Sequence, residues 1–489
     1  MSLCLLFPYQ AVLEFKPNFF STSNFYANQI HYSIKLMMGI IRKIASKIGL
    51  DKAIFFTSSA SILGAFGNVV SVILVVKYLT GNEQGFYYTF GSIVFIQIFF
   101  ELGLNGIITQ YVAHEVAHLK WKDDHTLDGA SKYISRLSSL LHFSLKWYLY
   151  FASVLMITLI AVGIIFFNRY GQIGPIVSWQ GPWVLLAFGT AINLLISPII
   201  AFLQGLGKVK EVAKIQLILQ FFKLSMVWGG LILGAKLYVL GLSSFIAAVI
   251  CTLIIAIKYR ILLTNIWRTI IIEKVHYRKE IFPYQWKIGV SWISGYFIFQ
   301  LFNPVLFATE GAVVAGQMGM TLAIFGGIAS LTFAWINTKV PTFSGLIAQK
   351  KYTQLDTLFN STLLQSSVLN VIMLCGMFII IIGMRYFQIT IGGRYLGARF
   401  LPFLPMLFMA VPTLLNHLVS AWATYLRCHK QEPMMVLSII MGILCTLSTI
   451  FLGKCYGVLG MTSGYMILCV ISFICTYFIF SNKKREWHK

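Results

Sequence analysis

Charge is the scarcest feature of this 489-residue chain: only 11% of residues are Asp, Glu, Lys or Arg, and acids number 15. A water-soluble domain carries about 25% charged residues, so a conventional soluble fold is excluded. No CxxC pair occurs among the eight cysteines, and most lie in apolar runs, so they read as reduced packing residues rather than a disulfide or zinc framework. There is no Gly-rich nucleotide loop of the GxxxxGK[ST] type, which argues against direct ATP drive. Short alternating apolar and polar segments are also absent, which excludes a β-barrel.

What is present is apolar length. Hydrophobic residues make up 58% of the chain, in runs recurring from Ile54 to Phe480. Runs of roughly 20 residues cross a bilayer, and lipid forces such a backbone into helices. Twelve spans are predicted, near 54–76, 86–108, 147–167, 183–203, 212–234, 238–257, 288–307, 311–337, 363–384, 400–420, 434–453 and 456–480. The hairpin KYLTGNEQGFYYTFGSIVFIQIFFELG, Lys77 to Gly103, sets the plan: two spans joined by a tight turn lie antiparallel and side by side.

The net charge of +23 suggests nucleic acid until its placement is considered. With the N-terminus in the cytoplasm, inside segments hold 30 of the 38 Lys and Arg; Lys77, Arg169, Lys236, Arg385, Arg394, Arg399 and Lys454 fall outside, and Lys223 sits within a span. The positive-inside rule then predicts both termini in the cytoplasm, and a multi-pass membrane protein with no nucleic-acid role.

The predicted organisation is an N-terminal cytoplasmic segment 1–50, a six-helix bundle 51–257, a basic connector 258–287, a second six-helix bundle 288–480 and a basic tail 481–489. GIIRKIASKIG after Met38 reads as a basic amphipathic surface helix, and the residues before Met37 as either a mis-chosen start or a disordered tail. The second half repeats the first weakly. Gly85 in the first hairpin matches Gly316, and Phe202 matches Tyr425, at separations of 231 (316 − 85) and 223 (425 − 202) residues. Six spans per half make the repeat parallel, about an axis along the membrane normal. Two such bundles enclose a cavity, and rocking them gives alternating access.

Three groups of side chains invite chemistry. Lys223 lies some eleven residues from either end of its span, where a lysine costs about 3 kcal/mol by some scales and usually faces the interior or a wet cavity. Asn68 is the best cavity candidate on a span otherwise rich in small packing residues. Glu101 and Glu310 are candidate proton or sodium sites, a helix-end role being the alternative for Glu101. His114-Glu115-Val116-Ala117-His118 matches HExxH, whose spacing puts two His on one helix face with a Glu as base. A zinc protease needs a third ligand that the nearby Asp residues are poorly placed to give, so two interfacial histidines is the competing reading, and no metal or cofactor is expected.

The start helix, the Ser-rich first span, YLTGNEQGFYYTFGS, Glu101-Leu102-Gly103 and FLQGLGKVKEVAK resemble the polysaccharide-exporter branch of the multidrug/oligosaccharidyl-lipid/polysaccharide (MOP) exporter superfamily, and within it bacterial O-antigen flippases. The likeness covers about residues 39–480, with Glu101 where the family often has Asp. It implies a non-enzymatic flippase that moves a polyprenyl-pyrophosphate-linked oligosaccharide, an O-antigen or capsule unit, to the outer leaflet, beside glycosyltransferases and a polymerase. It also implies a cationic lumen and ion coupling. Lys223 is then the first phosphate-binding candidate; Lys77, Arg385, Arg394 and Arg399 would meet the phosphates outside and Lys146 inside, solvated loop charge being the alternative for the outer ones. A multidrug and toxic compound extrusion (MATE) type drug exporter, an HExxH protease and a lipid II flippase are the rivals.

Overall fold

The computed structural model describes residues 52–172, 175–429 and 433–487. The proposed surface helix near residues 40–48 and the question of the true start lie outside them.

Nine helices are long and apolar enough to cross a bilayer, and eleven if each of two bent pairs is one span. The last, Met435–Trp487, is broken at Gly457, whose φ of 59° and ψ of −145° are not helical. An unbroken helix of its 53 residues would measure about 80 Å, far more than a bilayer. Packing shows that it turns back on itself: Gly453 abuts Met461, and Gly464 abuts Ser448. The described residues therefore contain twelve spans in two bundles of six, an all-helical fold with no barrel.

Spans 1 and 3 to 6 are Lys52–Tyr78, Ser131–Tyr170, Gln180–Gly205, Val209–Ile232 and Tyr238–Lys258. Span 2 is Gly81–Glu101 plus Leu104–Val116, bent by 41°. Span 7 is Gln285–Phe299 plus Phe302–Thr309, bent by 40°. Spans 8, 9 and 10 are Ala312–Asn337, Tyr352–Tyr386 and Phe403–Cys428; spans 11 and 12 flank Gly457. Links from odd to even spans lie at one end, the turn end, and links from even to odd spans at the other, the connector end.

Several elements differ from their sequence outline. The stretch 109–146 is not one polar loop. Span 2 continues as helix to Val116, a two-stranded ribbon follows (β1, Leu119–Trp121; β2, Leu127–Gly129), and span 3 already begins at Ser131. Polar helix is invisible to a hydropathy window but costs nothing once it projects past the bilayer. For the same reason the basic tail is a helical continuation of span 12 to Trp487, with Lys484 ion-paired to Asp356 at 2.9 Å. The bends have local causes. Pro304 lacks an N–H, so the Gln300 carbonyl four residues back loses its helical donor. Leu102 and Gly103 are consecutive left-handed residues, φ 46° and 70°, and a Cβ at Gly103 would lie 2.4 Å from Ile288 Cγ2 of span 7.

The repeat proposed from sequence has a physical meaning. Gly85 and Gly316 touch: a Cβ on Gly316 would be 2.9 Å from Gly85 N. Tyr88 and Gly319, offset by the same 231 residues, also touch. Equivalent residues meet only on a symmetry axis, so the pseudo-twofold axis runs between spans 2 and 8. Phe202 and Tyr425, the other matched pair, are both fully buried at the connector ends of spans 4 and 10.

Candidate functional site: a neutral chamber between the bundles

The turn end is closed by contacts between the halves. Thr80 and Glu83 form a capping box that starts span 2, with Thr80 N donating to Glu83 Oε2 at 2.8 Å. Lys236 of the span 5–6 turn pairs with Glu83 at 2.8 Å. One residue on, Gln84 Nε2 donates to the Gly316 carbonyl at 2.8 Å and to the Arg399 carbonyl at 3.2 Å. Arg399 donates to Gln84 Oε1 at 3.2 Å and to the Leu79 carbonyl at 3.0 Å, and Arg394 also donates to Leu79. Arg385 donates to the Leu401 carbonyl at 2.6 Å. Of the three arginines proposed as outer phosphate contacts, Arg385 thus binds carbonyls of the 387–402 loop, while Arg394 and Arg399, within that loop, bind the Leu79 carbonyl of the span 1–2 turn; the loop's ribbon is β3 (Thr390–Ile391) and β4 (Arg394–Tyr395). Lys77 remains exposed beside Gly392.

Below this closure a cavity of about 790 Å³ opens among spans 1, 2, 6, 7, 8, 10 and 12. Its polar wall comes from Asn68, Gln300, Asn303, Thr413, Asn416 and His417; Tyr87, Tyr88, Phe299, Phe302 and Tyr465 supply rings. Asn303 Nδ2 donates to Ser92 Oγ at 2.9 Å, and Asn416 Nδ2 to Tyr465 Oη at 3.0 Å. No Lys, Arg, Asp or Glu lines it among the described residues.

Of the sequence candidates, then, Asn68 lies in this wall and the cations do not. Lys223 is exposed on span 5. At about 100° per residue it shares a helix face, within about 40°, with Val212 and Val227, and stands about 160° from Phe221. Val212 and Val227 are buried, but Gln216, about 20° from Lys223, is exposed as Lys223 is, so this face is mixed; Lys223 lies beside buried Cys251 of span 6 and outside the chamber wall. Lys146 is exposed on span 3.

The acids are engaged. Asn105 Nδ2 donates to Glu101 Oε1 at 2.7 Å, next to the span 2 break, and Asn105 Oδ1 accepts from Tyr148 at 2.7 Å. Glu310 Oε1 accepts from Val458 N at 2.6 Å, capping the start of span 12. Glu115 of the HExxH match pairs with Arg136 at 2.8 Å, and Arg136 with Glu280 at 2.6 Å, so the carboxylate is committed to an ion pair that fastens the connector. His118 stacks on Tyr133 with ring centroids 4.4 Å apart. No group of three or more His, Cys, Asp or Glu among the described residues is placed to hold a metal.

Sequence reasoning passed over Gln300, Asn303, Asn416 and His417. Their signal was available: each is an amide or imidazole inside an apolar run, where such groups need partners or water.

The arrangement is two six-helix bundles with a chamber beside the axis between spans 2 and 8. No protein-family model and no curated protein sequence matches the chain. Solved structures do match its fold. The inward-facing structure of a multidrug resistance MATE family transporter of the MOP superfamily aligns with a TM-score of 0.60 at 13% identity, over 89% of this chain and 99% of that one. A complex of the MATE multidrug transporter DinF-BH gives 0.53 at 14%, over 88% and 95%. The lipid II flippase MurJ in an inward closed conformation gives 0.50 at 14%, over 87% of each. The chain has the two-lobed helical fold of MOP superfamily transporters and is a multi-pass membrane protein.

Proposed function

We propose that the chain is a flippase that carries a polyprenyl-pyrophosphate-linked oligosaccharide, an O-antigen or capsule repeat unit, from the cytoplasmic to the outer leaflet of a bacterial inner membrane. The turn end then faces outward, both termini are cytoplasmic, and glycosyltransferases and a polymerase act before and after it. The observation that carries this reading is the chamber wall: amides, hydroxyls and aromatic rings without formal charge. Sugars present hydroxyl edges and apolar faces, which amides and rings match. A hydrophobic cation would meet no carboxylate there, which disfavours a drug exporter of MATE type.

The pyrophosphate needs a cation, since an uncompensated charge in a low-dielectric site is costly. We assign Lys223 to it, the lysine midway along its span, exposed on span 5 beside Cys251. The turn-end arginines hold the outer closure instead, and Lys146 and Lys77 are left as entry and exit charges respectively. Glu101, beside a broken span, is the acid best placed for ion coupling, because broken helices free backbone groups for ions.

The test is Lys223→Ala in the native host. Surface polysaccharide is expected to be lost while the protein stays in the membrane at its normal level. Wild-type polysaccharide with that variant removes Lys223 from the mechanism. Altered drug sensitivity of a deletion strain, with intact polysaccharide, selects the exporter reading.

A further inference from the structure

The second bundle holds an ionisable group the proposed cycle has not used. His417 of span 10 is 3% exposed yet forms part of the chamber wall. Its Nε2 lies 3.0 Å from Ser366 Oγ of span 9, and its Nδ1 lies 3.5 Å from Thr332 Oγ1 of span 8. Both hydroxyls spend their protons on their own helices: Ser366 Oγ donates to the Leu363 carbonyl at 3.1 Å, and Thr332 Oγ1 to the Ile328 carbonyl at 3.0 Å. Each therefore offers the imidazole only lone pairs. Nε2–H is satisfied by Ser366. Neutral Nδ1 faces an oxygen at a distance too long for a hydrogen bond, lone pair to lone pair. A proton on Nδ1 turns that repulsive pairing into a donated bond.

The surroundings are set for such a change. Asn370, wholly buried, donates to Thr332 Oγ1 at 3.0 Å, while its Oδ1 has no partner and supplies a further dipole at the cluster. The groups facing His417 are uncharged: Ser366 and Asn370 from span 9, Thr332 and Phe333 from span 8. Tyr465 and Cys469 of span 12 pair instead with the neighbouring Asn416. The one described carboxylate of span 9, Asp356, is held by Tyr425 and Lys484. No charged group among the described residues faces the ring, so burial favours its neutral form, and a proton reaches it only from the chamber side.

We propose that His417, read by Ser366 and Thr332, is a proton-binding site that couples protonation from the chamber to the packing of spans 8, 9 and 10. This extends the transport reading, in which a gradient must act on some group; here the ligand is the proton itself.

The experiment uses the full-length purified protein in lipid nanodiscs. Exchange of the His417 C2 hydrogen is followed by mass spectrometry from pH 5 to 9, and a cysteine placed at Asn68 reports chamber access through its maleimide labelling rate. The expected result is a titration at His417 that Ser366→Ala and Thr332→Val each shift, and a labelling rate that changes several-fold with pH and loses that dependence in His417→Gln. Exchange showing no titration, labelling independent of pH, or the same pH dependence with and without His417 overturns the proposal. If His417→Gln does not fold, the Ser366 and Thr332 variants decide it: an unshifted titration in both overturns it. A titrating His417 that governs labelling, in a strain whose deletion leaves surface polysaccharide intact, sinks the flippase reading and leaves this one standing.

Discussion

Glu310 shows how a residue's chemistry depends on a partner far along the chain. An acid in apolar surroundings invites an ion-coupling role, but the structure spends this carboxylate on the first N–H of span 12, 148 positions away. A helix N-terminus carries partial positive charge and unpaired donors, so the acid caps it. Removing the cap by Glu310→Ala is expected to lower unfolding stability by about 1 kcal/mol, with Glu310→Gln losing less and neither changing the ion dependence of transport. Gly457→Ala is expected to cost more, because a Cβ there would sit 1.9 Å from Glu310 Oε1 and φ is positive. Thermal unfolding of the purified variants checks both. Glu280 gives a pH signature at the same scale. Burial pushes its pKa up, but the His276 N–H and the Arg136 guanidinium outweigh that and hold it below its ordinary value of 4.5. A carboxylate lowered in this way adds stability above pH 4.5 that is lost as pH falls through the folded value. Glu280→Gln should therefore be less stable than wild type at neutral pH, and the gap should close on acidification below 4.5.

At the scale of elements, apolar length made all twelve spans legible, because desolvation dictates a helix wherever roughly 20 apolar residues run together. It did not show where spans break or extend. The Leu102–Gly103 break depends on span 7 pressing Ile288 against Gly103, a contact of long sequence range. The early start of span 3 depends on polar residues that a hydropathy criterion discards. The tight approach of spans 2 and 8 was half legible: Gly85 and Gly316 matched as repeats, but nothing in the sequence said that they touch. A Cβ on Gly85 would lie 1.9 Å from the Ala312 carbonyl oxygen. Backbone cannot yield as a side chain can, so Gly85→Val should hold the turn end open. The expected outcome is faster maleimide labelling, from outside intact cells, of a cysteine introduced at Ser92. Labelling no faster than in the Gly85 parent places the closure elsewhere.

The whole molecule is a near-symmetric frame around an asymmetric chamber. Spans 2 and 8 meet on the axis, yet 19 of the 26 lining residues come from the second half. The reading of a cationic lumen came from family resemblance, whereas the basic excess lies mostly in the links and reads as a topology signal. The wall chemistry could not be read from composition, because spans 1, 7 and 10 must be assembled before their amides converge. Asn68 separates recognition from packing most cleanly. It is exposed in the chamber and makes no hydrogen bond within the protein, whereas Asn303, also in the wall, is tied to Ser92. Asn68→Leu thus leaves no buried partner unsatisfied, and its effect on stability should stay within about 0.5 kcal/mol. A sugar hydroxyl that had bonded to the amide would lose its partner in the chamber, at about 1 kcal/mol or more in each direction of the cycle. Surface polysaccharide should fall with normal protein level and unchanged melting temperature, while Asn303→Leu should lower both. If Asn68→Leu leaves polysaccharide at the wild-type level, the neutral wall is not where the head group is recognised, and the exposed face at Lys223 becomes the site to examine.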